Sequence, residues 1–203
     1  MSSSKKSGAV SPEVLEAEER TQTALRLQRK QRLEALVQKR KANVNYLKKV
    51  HLGGSFWLNI MHLSTENIRD FVLTTVPKQR VVGFYYLGLS VESLLSQPVG
   101  AKMISSFSQL MEEFEYFCAG TAMQGVKSLM AKNSACLYPQ TMNADVDEIL
   151  SRPSIYKFQN SVVFEQLKTP HLAFELDYIE VLIGLCGGLC KLYDNIFCEE
   201  CYM

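Results

Sequence analysis

No hydrophobic run in this 203-residue chain is long enough to cross a bilayer. The longest, Val181 to Cys190, is bounded by Glu180 and Lys191, and its length is about half of the ~20 residues that a span requires. The first residues, Met1-Ser-Ser-Ser-Lys-Lys-Ser-Gly, are polar and lack the apolar stretch of roughly 7–15 residues found in an export leader. Secretion is therefore not expected, and the six cysteines are expected to be reduced, in a cytosolic or nuclear setting.

Catalytic signatures are missing too. The three histidines, His51, His62 and His171, stand apart and form no His-Glu-x-x-His pattern. There is no Gly-x-Ser-x-Gly. Gly53-Gly54-Ser55 lacks the lysine and flanking strand of a phosphate loop. No solenoid-length repeat and no strand–helix alternation recur, which leaves an all-α chain as the expected class.

What the chain does have is a charge split hidden by its near-neutral total. Residues 1–50 hold 12 basic and 5 acidic groups, net +7; residues 51–203 hold 10 and 16, net −6. From Arg20 to Lys49 there are ten Lys/Arg and a single acid, Glu34. Such a separation implies one segment made for an acidic surface and another that folds as a body. The expected division is a disordered stretch over 1–10, a basic helical arm over 11–50 and a helical globular domain over 51–203.

The arm opens with Ser11 as cap, Pro12 at the first helical position and Glu13, Glu16, Glu18 and Glu19 at the positive end of the dipole. Its Leu, Ala, Glu, Gln, Lys and Arg content favours one continuous helix of ~60 Å. The apolar stripe is thin at Leu25 and Leu27 and firmer at Leu33, Leu36, Val37, Val44 and Leu47. Arg40 falls where a sustained heptad needs an apolar residue, so a long homodimeric zipper is not expected. The helix is read either as docking its later half on the body or as binding an acidic partner through Arg26, Arg29, Lys30, Arg32, Lys39, Arg40 and Lys41.

His51-Leu-Gly53-Gly54-Ser55 ends the arm. Phe56 to Leu63 is expected as a buried turn or extended piece that places Trp57, the only tryptophan, in the core. Helices are predicted from Ser64/Thr65 to about Thr75, from Gln79 to Ser96 before Pro98, and from Ala101 to Ala119. In the last of these, Glu112, Glu113 and Glu115 fall largely off the apolar face. Shorter helices are predicted over 120–132 and from Asn143 or Asp145 to Leu150, with a loop between. Another is predicted over 154–168, with strand character near Val162, Val163 and Phe164. A final helix, apolar on most sides, is predicted from His171 to about Phe197. The fold reading is an irregular bundle of six to seven helices.

Cys186, Cys190, Cys198 and Cys201 are spaced C-x3-C-x7-C-x2-C. Four thiolates could hold zinc, yet two of them sit inside a buried helix pattern without the turn of a knuckle. Core packing is the expected role of Cys186 and Cys190, and zinc or an acylated tail are the alternatives. Gly184 and Gly188, with those small cysteines, point to a close helix crossing. No metal and no cofactor are expected.

Arg26, Arg29, Arg32, Lys39 and Lys41 could also track phosphates, but Tyr46 is the one aromatic in the arm able to stack on a base. An interfacial lipid helix wants a strong apolar face, and residues 20–44 offer only leucines and two valines there. The preferred expectation is a non-catalytic adaptor or structural subunit of a cytoplasmic assembly, cytoskeletal or ciliary, docking on an acidic protein surface such as a microtubule lattice. A nucleic-acid-associated helical protein is the alternative, and an enzyme comes third.

Overall fold

The computed structural model describes residues 12–119, 124, 132–133, 155–159 and 161–196. These are mostly helical. The elements are α1 (Pro12–His51), β1 (Phe56–Trp57), β2 (Met61–His62), α2 (Thr65–Thr75), α3 (Lys78–Leu95), α4 (Ala101–Cys118), β3 (Lys132–Asn133), β4 (Tyr156–Phe158), β5 (Ser161–Val163) and α5 (Tyr178–Ile196). The two short helices expected over 120–132 and 143–150 lie outside the described residues, apart from Gln124, which is helical. Ser11, Cys198 and Cys201 lie outside them too.

Helix α5 is the hub. Leu185 and Leu192 of α5 pack with Leu87, Val91 and Leu94 of α3, Met103 and Leu110 of α4, and Leu167. A second cluster joins Ile179 of α5 to Ile68 and Val72 of α2. The last half of α1 lies along α5, with Val37 and Val50 buried. A helix enclosed by three others must be apolar on most sides, which explains the α5 composition.

Local chemistry sets the helix ends. The Ser64 hydroxyl accepts from the Asn67 N–H at 3.1 Å and starts α2. Asp177 does the same for α5, accepting from the N–H groups of Ile179 (2.8 Å) and Glu180 (3.1 Å). The expected start at His171 is therefore corrected by seven residues to Tyr178, because residues 164–177 run without helix. The helix expected over 154–168 is corrected as well. Ser161–Val163 pairs antiparallel with Tyr156–Phe158, and Lys132–Asn133 pairs parallel with Tyr156–Lys157. The β-branched run at Val162 and Val163 fits a pleat better than a helix.

Asp177 also pairs with Arg69 at 3.0 Å. Burial would push its carboxyl up, but the N–H of Glu180, the Arg69 side chain and the N–H of Ile179 outweigh it and hold the group below its ordinary value near 3.8. Its stabilising contribution is therefore complete above the unfolded value and fades as pH falls through the lowered folded one. Asp177→Ala should lower stability by about 0.5–2 kcal/mol through loss of the cap. Asp177→Asn keeps the cap and loses only a half-exposed ion pair, a smaller effect. Thermal melts of both variants at neutral pH check the order; equal losses would mean the ion pair, not the cap, is what matters.

Candidate partner-binding surface

Helix α1 has two unlike halves. Side chains from Glu16 to Arg29 are exposed all round. From Lys30 onward one side turns onto the body. Leu33, Val37 and Val44 share that side, which follows from their spacings of four and seven residues. Lys41 pairs with Asp194 of α5, and Cys190 Sγ lies 3.7 Å from the Asn45 side-chain oxygen. His51 Nδ1–H donates to Leu47 O at 2.8 Å, and its Nε2 lies 3.4 Å from the Tyr178 hydroxyl. These contacts fix the rotation of α1 on α5.

That rotation sorts the basic residues. Lys30 and Lys41 are half-buried on the body side. Arg26, Arg29, Arg32, Lys39 and Arg40 are exposed, and none has a carboxylate partner among the described residues. Arg26 continues the line of Val37 and Val44 but lies beyond the body, so it faces water. Arg29, Arg32, Lys39 and Arg40, with exposed Leu36 among them, share the side turned away from α5. Sequence alone could not separate Arg40 from Lys41, because neighbouring helical positions point about 100° apart.

The cysteines and glycines of α5 are placed as follows. Cys186 is buried; burial first, then Cys190, push its thiol up, with Lys48 pulling the other way. A raised thiol makes a poor nucleophile at neutral pH. At Gly188 an added Cβ would stand 3.3 Å from Val91 Cγ1, whereas at Gly184 it would meet nothing within 4 Å. Among the described residues no three His, Cys, Asp or Glu side chains converge as metal ligands, and no helix is long and apolar enough to cross a membrane.

Among the described residues, an apolar hollow of about 550 Å3 lies between α2, α3 and residues 172–178. The charged groups at its rim are already engaged, Arg69 with Asp177 and Lys78 with Glu175. It presents no convergent set of free polar groups for chemistry.

The segment after α1 corrects an expectation. Phe56 to Leu63 does not bury Trp57; it forms an antiparallel hairpin with Phe56 opposite His62 and Trp57 opposite Met61. Trp57 stacks on Tyr46 of α1, ring centroids 6.4 Å apart, and remains 37% exposed. Its apolar composition argued for burial, and Gly53 at φ +70 is the one local sign that the chain turns back here. The chain matches none of the protein-family models, curated proteins or solved structures with which it was compared.

Proposed function

We propose that the protein is a non-catalytic helical adaptor or structural subunit of a cytoplasmic assembly, cytoskeletal or ciliary in character. It docks through the basic arm onto an acidic partner surface. The supporting observation is the state of Arg26, Arg29, Arg32, Lys39 and Arg40: exposed and without a carboxylate partner among the described residues, on a helix whose later half is anchored to the body. Cations held at fixed spacing on a rigid helix favour a complementary acidic face and speed encounter with it. An acidic protein surface suits this arm better than nucleic acid, since its exposed side carries no aromatic platform upstream of Tyr46.

Replacing those five residues by Gln keeps helix propensity and removes five charges. Exposed charge pairs contribute roughly 0.2–1 kcal/mol each, so binding to the native partner should weaken about tenfold or more while the melting temperature barely moves. Lys41→Gln is the control: it breaks the Asp194 contact and should leave partner binding intact. Capture of the partner from cell extract, at two salt concentrations and with and without nuclease, reads the result. Unchanged capture by the five-fold variant overturns the docking role, and nuclease-sensitive capture transfers the arm to nucleic acid.

A further inference from the structure

We propose that the β1–β2 hairpin is a lipid-insertion element that seats the protein on an anionic bilayer surface, with the lysines and arginines beside it on the headgroups. This goes beyond the docking role of α1: its apolar part stands on different residues, while its charged part shares Arg32, Lys39 and Arg40 with that role. The hairpin tip is convex and apolar. Leu58 is 64% exposed and Ile60 81%, with Phe56 and Met61 also more than half exposed. Scattered exposed apolar residues are ordinary, but a contiguous set on one projection marks an interaction surface.

The turn at this tip is built against local preference. Leu58 and Asn59 have φ of +51 and +59. A turn with both central residues in the left-handed region favours Asn-Gly. Asn59 tolerates that geometry, whereas a leucine there suffers a steric penalty. Leu58 is thus a poor choice for folding and a good one for presenting an apolar side chain.

Several backbone groups at the tip already have internal partners. Ile60 N–H donates to Trp57 O at 3.0 Å. The Tyr46 hydroxyl accepts from Leu58 N–H at 2.7 Å and donates to Phe56 O at 2.8 Å. His62 Nε2–H donates to Gly53 O at 2.9 Å, closing the base. Polar backbone groups with internal partners can enter the headgroup–acyl boundary at little cost. Those groups need no new partner when the tip inserts.

Charge identifies the surface. From Ala35 to Thr65 there is no Asp or Glu, while Lys39, Arg40, Lys41, Lys48 and Lys49 lie in the same stretch. Arg32, Lys39 and Tyr46 follow one another at seven-residue spacing, so the exposed cations line up with the residue that holds the hairpin. Lys49, also exposed, is the next turn along. An apolar wedge beside cations is what binds anionic lipid, through apolar burial plus headgroup attraction. The basic helix lacks an apolar face of its own, and the hairpin supplies it. A convex knob also suits a deformable bilayer, whereas a protein partner would need a matching pocket.

Trp57 is the only tryptophan in the chain and sits in the hairpin, so the intact chain carries its own reporter. Its emission would be followed during titration with vesicles of phosphatidylcholine mixed with phosphatidylserine, and with phosphatidylcholine alone. The expected result is a blue shift and quenching by brominated acyl chains with the mixed vesicles. Leu58→Gly, which relieves the backbone strain and removes the side chain, should weaken binding about tenfold without loss of fold. Ile60→Asp should abolish the shift, and Lys49→Gln should weaken binding by roughly fivefold. No shift with the mixed vesicles overturns the proposal. So does sedimentation with vesicles while Trp57 emission and quenching stay unchanged, which would assign the binding to charge alone. If Leu58→Gly and Ile60→Asp leave vesicle binding intact but lose the captured protein partner, the hairpin is a protein-docking knob and the lipid role fails. The five-Gln variant of α1 keeps the hairpin but loses Arg32, Lys39 and Arg40, so it should lose partner capture and also weaken the Trp57 response. Leu58→Gly, which keeps those cations, separates the two roles by weakening the Trp57 response while partner capture is retained.

Discussion

Glu113→Ala should unfold this protein more readily than any surface change, by about 3–5 kcal/mol. The side chain is fully buried on α4, and its two oxygens collect four donors. Oε1 accepts from the Glu165 N–H at 2.8 Å and from Gln109 Nε2 at 2.8 Å. Oε2 accepts from the N–H groups of Gln166 at 2.9 Å and Leu167 at 2.7 Å. Residues 165–167 have left the β5 strand and make no ladder bonds, so these N–H groups depend on Glu113. Truncation leaves each of them without a partner, at about 1–3 kcal/mol apiece if nothing replaces the contact. For a chain of this size the melting temperature should fall by roughly 6–20 °C.

Glu113→Gln discriminates further. It keeps the shape and one acceptor but turns an NH2 toward a backbone N–H, so its loss should be intermediate. The same segment is held on its other side by α3. The Ser90 hydroxyl accepts from Lys168 N–H at 2.8 Å and donates to Tyr86 O at 2.7 Å. The Tyr86 hydroxyl donates to Pro170 O at 2.9 Å. Segment 165–170 is thus a strap stitched between α3 and α4 by side chains rather than by a sheet. Denaturant melts of Glu113→Ala, Glu113→Gln and Ser90→Ala give the comparison. A Glu113→Ala loss below about 1 kcal/mol would mean that water replaces the carboxyl and the strap is not anchored there.

Glu113 also marks where sequence reasoning stops. In α4 the helix and its apolar face were readable from Phe107, Leu110, Phe114 and Phe117. A glutamate off that face reads as solvent-exposed, yet its donors come from a segment more than fifty residues later, and no local pattern announces that. Both ends of α2 were readable because Ser64 and Pro77 act locally, through a cap and a missing N–H. The start of α5 was missed because Pro170, immediately before His171, suits the opening of a helix, whereas the true cap is Asp177. Phe56 to Leu63 was misjudged for a related reason: composition favoured the interior, but two short strands between α1 and α2 have no core to enter. On α1 the basic composition was plain, while the free side depended on how α5 packs. Lys41 and Arg40 differ by one position, and only Lys41 is drawn onto Asp194.

The glycines of α5 carry the second large prediction, and their structure splits what looked like one groove. Gly188 faces Val91 of α3, where an added Cβ would be 3.3 Å from Cγ1. Val91 is fully buried and, being β-branched in a helix, has essentially one rotamer available. It cannot step aside, so Gly188→Leu should overpack the α3–α5 contact and lower stability by about 1–3 kcal/mol. Gly188→Ala sets a helix-propensity gain of up to ~1 kcal/mol against a few tenths of an ångström of squeeze, and a small net loss is expected. Gly184 is different. A Cβ there meets nothing within 4 Å, so Gly184→Ala should raise stability by about 0.4–1 kcal/mol, mainly by restricting the unfolded chain. A double-mutant cycle ties the first effect to its cause. Val91→Ala makes room at the contact, so combining it with Gly188→Leu should cost less than the sum of the two single changes. Additive losses would show that Gly188 is held small by something other than Val91. A destabilising Gly184→Ala would show that the open side of α5 is closed by further chain, and that the helix is enclosed on one more side than α1, α2 and α3 provide.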